Sequence, residues 1–198
     1  MKALDARRAL QTTLGVKADG LIGSRTREAF ETLASAAPTA DWPPSEPLPR
    51  PAGWSFLKAY VSGKDIVVVD ASTTWFGGDN DSEDAGETAC GYPTKGHPDL
   101  LGCALPCDGY GVRSLKGSPL PKLPFGLRRD GSPNPGGTMV EVTYKTRAFR
   151  VPFIDLGPSG YTRNALDLTK AVFRKLEVPP KTGKIVCNYR ILGGAKFL

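Results

Sequence analysis

Six prolines between Pro38 and Pro51 divide this 198-residue chain more firmly than any other feature. Each proline fixes its own φ and removes a backbone donor, so the stretch is extended and holds neither a helix nor an interior strand. The chain therefore reads as residues 1–36, a linker over 37–53, and a larger domain over 54–198. Trp42 and Trp54, at the two ends of the linker, read as packing residues. Upstream, Leu4, Leu10 and Leu14 fall near one helical face with Ala6 and Ala9, and Gly15 is placed to end that helix. Ser24 can cap a second helix whose apolar stripe is Thr26, Ala29, Phe30 and Leu33.

Downstream the pattern changes to short strands. Ile66–Val69 runs into Asp70-Ala71-Ser72-Thr73-Thr74-Trp75-Phe76-Gly77-Gly78. Gly102–Pro106, Met139–Tyr144, Arg147–Asp155 and Lys184–Ile191 follow, with a turn at Leu123–Gly126. Pro152 inside one of these runs predicts an edge or a bulge. Leu168–Leu176 makes one short helix with Val172, Phe173 and Leu176 inward. Many short strands with one helix, set among 23 glycines and 18 prolines, predict a mainly β, small closed barrel behind a helical module.

The net charge of +6 favours a polyanionic partner. Nucleic acid is disfavoured, because no Lys/Arg block is interleaved with aromatics and no finger or helix-turn-helix spacing occurs. No segment reaches the length of a membrane span. Lys2, Asp5, Arg7, Arg8, Lys17 and Asp19 interrupt the first twenty residues, so no signal-peptide apolar region is expected there. Cys90, Cys103, Cys107 and Cys187 allow three disulfide pairings, with free thiols and a metal site as competing readings. Disulfides are the first expectation, in an oxidising compartment. Metal is disfavoured, since His97 is the only histidine and stands among prolines and glycines.

The chemistry-bearing stretch is Phe153-Ile154-Asp155-Leu156-Gly157-Pro158, followed by Asn164-Ala165-Leu166-Asp167-Leu168-Thr169. Each aspartate stands between apolar neighbours, so its side chain is expected on the opposite face of a half-buried strand. A carboxyl against an apolar wall has a raised pKa, as a general acid working near neutral pH requires. The plainer reading is a strand-end aspartate that caps the following turn.

Two resemblances rest on these residues. Leu10-Gln11 with Ala18-Asp19-Gly20-Leu21-Ile22-Gly23-Ser24 and Thr26–Phe30 resembles the peptidoglycan-binding type 1 module, shortened between its helices. This implies a cell-wall anchor with Asp19, Gly20 and Gly23 near the sugar–peptide contact. The larger domain resembles the double-psi β-barrel families: expansins, rare-lipoprotein-A lytic transglycosylases and family-45 endoglucanases. Thr73–Gly78 and Gly86-Glu87-Thr88-Ala89-Cys90-Gly91 are similar to the opening segments of expansins. Asp155-Leu156-Gly157-Pro158 is similar to the D-R-G-P stretch of the rare-lipoprotein-A family. Ala165–Thr169 with Ala171–Leu176, and Gly183–Arg190, are similar to the later segments of bacterial expansins. The implied fold is a six-stranded double-psi β-barrel.

The same resemblance implies that Asp167 matches the acid that protonates the glycosidic oxygen, and Asp155 the acid of the rare-lipoprotein-A enzymes. Thr74, Trp75 and Tyr92 would line a sugar groove; barrel core for Trp75 and loop packing for Tyr92 are the plainer alternatives. Two departures follow: the endoglucanase base position is Gly77, and the rare-lipoprotein-A histidine falls near Leu120. The local supply of a second carboxylate is the loop with Asp79, Asp81, Glu83 and Asp84, read otherwise as a solvated loop, as a substrate-lining edge through Asp79 and Asp81, or as a calcium site. A lytic transglycosylase needs no external base, because the muramyl 6-hydroxyl closes on the anomeric carbon. The expectation is a monomeric, cofactor-free, glycan-cleaving enzyme of peptidoglycan, working in the periplasm or extracellular wall after phage lysis or specialised secretion. A non-catalytic expansin-like protein, or a wall-docking part of a phage tail or secretion machine, is the alternative.

Overall fold

The computed structural model describes residues 46–77, 81 and 85–198. The expected helical module, with Asp19, Gly20 and Gly23, lies outside the described residues, as do Asp79, Glu83 and Asp84 of the acidic loop. Among the described residues, eight strands and one α-helix form in chain order: β1 (Glu46–Pro47), β2 (Lys58–Ser62), β3 (Asp65–Phe76), β4 (Cys103–Leu105), β5 (Met139–Tyr144), β6 (Arg147–Leu156), β7 (Leu166–Thr169), α1 (Lys170–Lys175) and β8 (Lys184–Ile191). Six of them close a ring, β3-β7-β4-β6-β5-β8 and back to β3. The β3–β7 and β4–β6 pairs are parallel and the other four antiparallel. The fold is a mainly β, six-stranded closed barrel. The antiparallel pair β1–β2 is laid against β3 outside the ring, so the proline-rich stretch reaches the barrel at Glu46 and Pro47 as an edge strand, where a missing N–H costs no ladder bond.

Inside the ring, aliphatic and aromatic residues of facing strands fill the space: Ile66 and Val68 of β3, Val140 and Val142 of β5, Val151 and Phe153 of β6, Leu166 and Leu168 of β7, and Tyr189 and Ile191 of β8. Tyr189 is fully buried, and its hydroxyl donates to Ala165 O at 3.0 Å, which satisfies the polar end of an otherwise apolar core residue. α1 covers one side with Ala171, Val172 and Phe173; Val172, Phe173 and Leu176 are buried as expected, but Leu168 and Thr169 belong to β7 rather than to the helix.

Two bulges decide which side chains leave the core. On β3 the register against β8 jumps from Val68–Tyr189 to Ala71–Cys187, three residues against two. Asp70 sits in the jump with φ of 52°, in the left-handed region that aspartate tolerates better than most residues. Without the extra residue, the alternation that puts Ile66 and Val68 inside would also turn Thr74 inward. With it, Ala71 and Thr73 face the core and Thr74 faces out. On β6 the pairing with β4 skips Ile154, from Cys103–Phe153 to Ala104–Asp155, so Phe153 fills the core and Asp155 does not. Pro152 lies beside this bulge, but β6 is paired on both sides, so the edge alternative is corrected.

The barrel also carries an internal repeat. Gly86-x4-Gly91-x-Pro93-Thr94 and Gly126-x4-Gly131-x-Pro133-Asn134 stand forty positions apart. They form the same hairpin bonds: Thr88 N to Tyr92 O and Arg128 N to Ser132 O, then Thr94 N to Gly86 O and Asn134 N to Gly126 O. Gly91 and Gly131 take φ of 82° and 76°, which fixes glycine at both turns.

The expected disulfides are corrected. All four cysteines are free thiols, and Cys103, Cys107 and Cys187 belong to the core. Two of the buried thiols find polar partners inside the core: Cys187 Sγ lies 3.1 Å from Thr73 Oγ1, and Cys103 Sγ–H donates to Pro152 O at 3.6 Å. Burial pushes the Cys187 thiol up to about 12 and holds the Cys103 and Cys107 thiols well above their ordinary value. No cluster of metal-ligating side chains occurs among the described residues, nor any helix long and apolar enough to cross a membrane.

Candidate active site

One row of residues crosses four strands on the outer face of the barrel. Thr74 of β3 is in register with Asp167 of β7, Asp167 with Ala104 of β4, and Ala104 with Asp155 of β6. The two aspartates therefore flank a single alanine, their Cα atoms two strand spacings or roughly 10 Å apart. Asp167 owes its position to simple alternation, since Leu166 and Leu168 are both fully buried in the core.

Asp167 is held by a directed chain of hydrogen bonds. Ser72 Oγ donates to Asn164 Oδ1 at 2.9 Å, and Asn164 Nδ2 donates to Thr74 Oγ1 at 3.2 Å. Thr74 Oγ1 donates in turn to Asp167 Oδ1. Because Asn164 occupies a lone pair of the threonine oxygen, the hydroxyl proton is left to face the carboxylate. Burial raises the Asp167 carboxyl to about 6, against the lowering effect of Thr74; the charge of Asp81 adds a smaller push in the same direction. A half-buried carboxyl at the barrel surface that is partly protonated near neutral pH can donate a proton to a bound substrate.

Asp155 is differently placed. Its Oδ1 accepts the backbone N–H of Ala89 and of Leu156, both at 2.8 Å. The carboxylate ties the first hairpin of the repeat to the end of β6, which is the capping role read as the plainer alternative. The sequence pairs the two aspartates as one site; the structure brings them into one row with different hydrogen-bond partners.

Of the acidic loop, Asp81 is the member described. Its Oδ2 accepts Gly77 N–H at 2.8 Å, so a carboxylate stands beside the position where the endoglucanase resemblance lacks its base. Trp75 packs against the core, donates its indole N–H to Pro180 O at 2.8 Å, and carries the Lys170 ammonium 4.1 Å from its ring centre. Tyr92 is tilted against His97 with ring centres 5.1 Å apart, and its hydroxyl lies 3.3 Å from His97 Nδ1. Neither ring lies in the Asp167 row. Sequence reading missed Ser72 and Asn164 as supports of the acid; the signal for them was the parallel β3–β7 pairing, which composition and periodicity do not report.

Among solved structures, the Streptomyces papain inhibitor (SPI) is similar at 24% sequence identity, covering 66% of this chain and 96% of that one, with a TM-score of 0.41. No family model and no curated protein matches the chain.

Proposed function

We propose that the chain cleaves the glycan strand of peptidoglycan, with Asp167 as the proton donor to the glycosidic oxygen. The observation that carries this reading is the raised Asp167 carboxyl, oriented by Thr74 and Asn164 on the outer face of the barrel. The sequence likeness to double-psi β-barrel families, which assigns Asp167 the same role, supports it, and so does the positive net charge toward an acidic wall. Asp155 Oδ1 accepts two backbone N–H groups, so Asp167 is the better placed of the two as the acid of the row. That favours lytic transglycosylation, in which one group protonates the leaving oxygen and then receives the proton of the attacking 6-hydroxyl. Residues 1–36, by their likeness to a wall-binding module, would raise the local concentration of substrate.

A second reading is favoured by Asp81. Its charge acts on Asp167, and a second carboxylate near an acid is what water activation in an inverting hydrolase requires. Mass spectrometry of the soluble products from purified peptidoglycan separates the possibilities. Anhydro-muropeptides, absent with Asp167→Asn, support the transglycosylase; reducing ends support hydrolysis through Asp81. Intact sacculi with bound protein overturn both and leave a wall-binding protein.

A further inference from the structure

Asn164 lies near the end of the β6–β7 loop and is held there through both its backbone and its side chain. Its N–H donates to Thr162 Oγ1 at 3.3 Å, and the next N–H, of Ala165, donates to Ser72 O at 2.7 Å. Arg163, just before it, takes φ of 57° and closes the preceding turn. Ala165 O accepts the buried Tyr189 hydroxyl at 3.0 Å, so the loop is fastened to the core immediately after the amide. Ser72 therefore grips this loop twice: its carbonyl takes Ala165 N–H, and its hydroxyl donates to Asn164 Oδ1 at 2.9 Å. An amide tied in this way is in position before any substrate arrives.

The amide has two unlike ends, so the chain through it has a direction. Its Nδ2 donates to Thr74 Oγ1 at 3.2 Å, and Thr74 Oγ1 donates to Asp167 Oδ1. Turned end for end, the amide would present its oxygen to Thr74, the threonine proton would go to Asn164, and Asp167 would face lone pairs alone. An ionised carboxylate can only accept, so that arrangement suits a neutral acid whose proton sits on Oδ1 and points back into the protein. The observed direction does the reverse. It occupies Oδ1 with the threonine proton, and a proton taken up by Asp167 then goes to Oδ2. Once Oδ2 gives that proton away, the carboxylate left behind is the form that the Thr74 bond favours. Both links of the amide are part-buried, where successive hydrogen bonds polarise one another.

We propose that Asn164, oriented by Ser72, is a positioning residue for the acid: it makes Thr74 a donor and so places the transferable proton of Asp167 on Oδ2. The inference rests on the proposed role of Asp167 as proton donor, and adds which oxygen delivers the proton and what decides it. Asn164 acts through Thr74. Its loss is therefore expected in kcat rather than in KM, since a directed proton matters in the transition state and not in holding the glycan.

Carbon-detected NMR of the Asp167 carboxyl, paired with rates of glycan release across pH, tests this in the full chain. Asn164→Ala should raise the carboxyl midpoint by about half a unit and move the alkaline limb of the rate profile with it, because the Thr74 proton is no longer held on Oδ1. It should lower kcat roughly tenfold, the scale of one hydrogen bond, and leave KM in place. Ser72→Ala should shift the midpoint the same way, and Ser72→Thr, which restores the hydroxyl, should bring it back. Midpoints unchanged in both Asn164→Ala and Ser72→Ala overturn the proposal, as does a shift in Ser72→Thr equal to that in Ser72→Ala. If Asn164→Ala does not fold, the two Ser72 variants decide alone. A wild-type protein that releases no glycan overturns the proposed function instead, and the midpoints still report whether the amide governs the acid.

Discussion

Thr74 and Asp167 face each other across the parallel β3–β7 pair, the threonine hydroxyl donating to the carboxylate and accepting from Asn164. The bond opposes burial: it favours the ionised form, whereas the apolar surroundings favour the neutral one. Thr74→Val should therefore raise the Asp167 carboxyl further, by about one unit for a hydrogen bond to a charged group. The alkaline limb of a pH–activity profile would move up by the same amount. An unchanged limb would mean that the bond does not act on the acid.

The same carboxyl makes stability depend on pH. Its folded-state value of about 6 lies above the ordinary 3.8, so the native state binds the proton more tightly than the unfolded chain. Stability from this group is complete below about pH 4 and is lost as pH rises through 6, by at most about 3 kcal/mol. Asp167→Asn should remove that slope and be the more stable protein at pH 8. Urea unfolding of both proteins between pH 4 and 8 measures it; parallel pH profiles would contradict the assignment.

Asp155 predicts the opposite signature. Asp155→Ala strips the acceptor from Ala89 and Leu156 N–H and releases the first hairpin from β6. The expected loss is about 1–3 kcal/mol, lowering Tm by roughly 3–10 °C in a domain of this size. Asp155→Asn, which keeps an acceptor oxygen, should lose less. A variant as stable as the wild type would return Asp155 to the list of candidate acids.

Thiol titration tests the corrected cysteine assignment. Cys90 is partly exposed and the other three are buried. A thiol reagent should find at most one reactive group in the native protein and four after denaturation, with or without prior reduction. Four groups only after reduction would restore the disulfides.

Much of this barrel could be read from residue patterns. Met139–Tyr144 and Lys184–Ile191 form the strands expected of them, and Val172 and Phe173 point α1 into the core, because alternation and helical spacing register burial directly. The bulges could not be read that way. Val67, Val68 and Val69 give no alternation to break, so nothing local announces that Asp70 adds a residue and turns Thr74 outward. Ile154 likewise continues an apolar run while being skipped by β4. Asp167 was legible because Leu166 and Leu168 flank it on an unbroken strand. Its supports were not, since Ser72, Thr74 and Asn164 meet it through a pairing of segments about ninety residues apart. The forty-residue repeat was present in the glycines and prolines, but only its shared hydrogen bonds make the match visible.

The proposed acid chemistry of Asp167 depends most on one ionisation. Carbon-detected NMR of the aspartate side-chain carboxyls, with Asp167→Asn to assign the resonance, measures it directly. The predicted result is a carboxyl with its midpoint near 6 that disappears in the variant. A midpoint at or below the ordinary value of 3.8 would show a carboxylate fully charged at neutral pH and remove Asp167 as a proton donor.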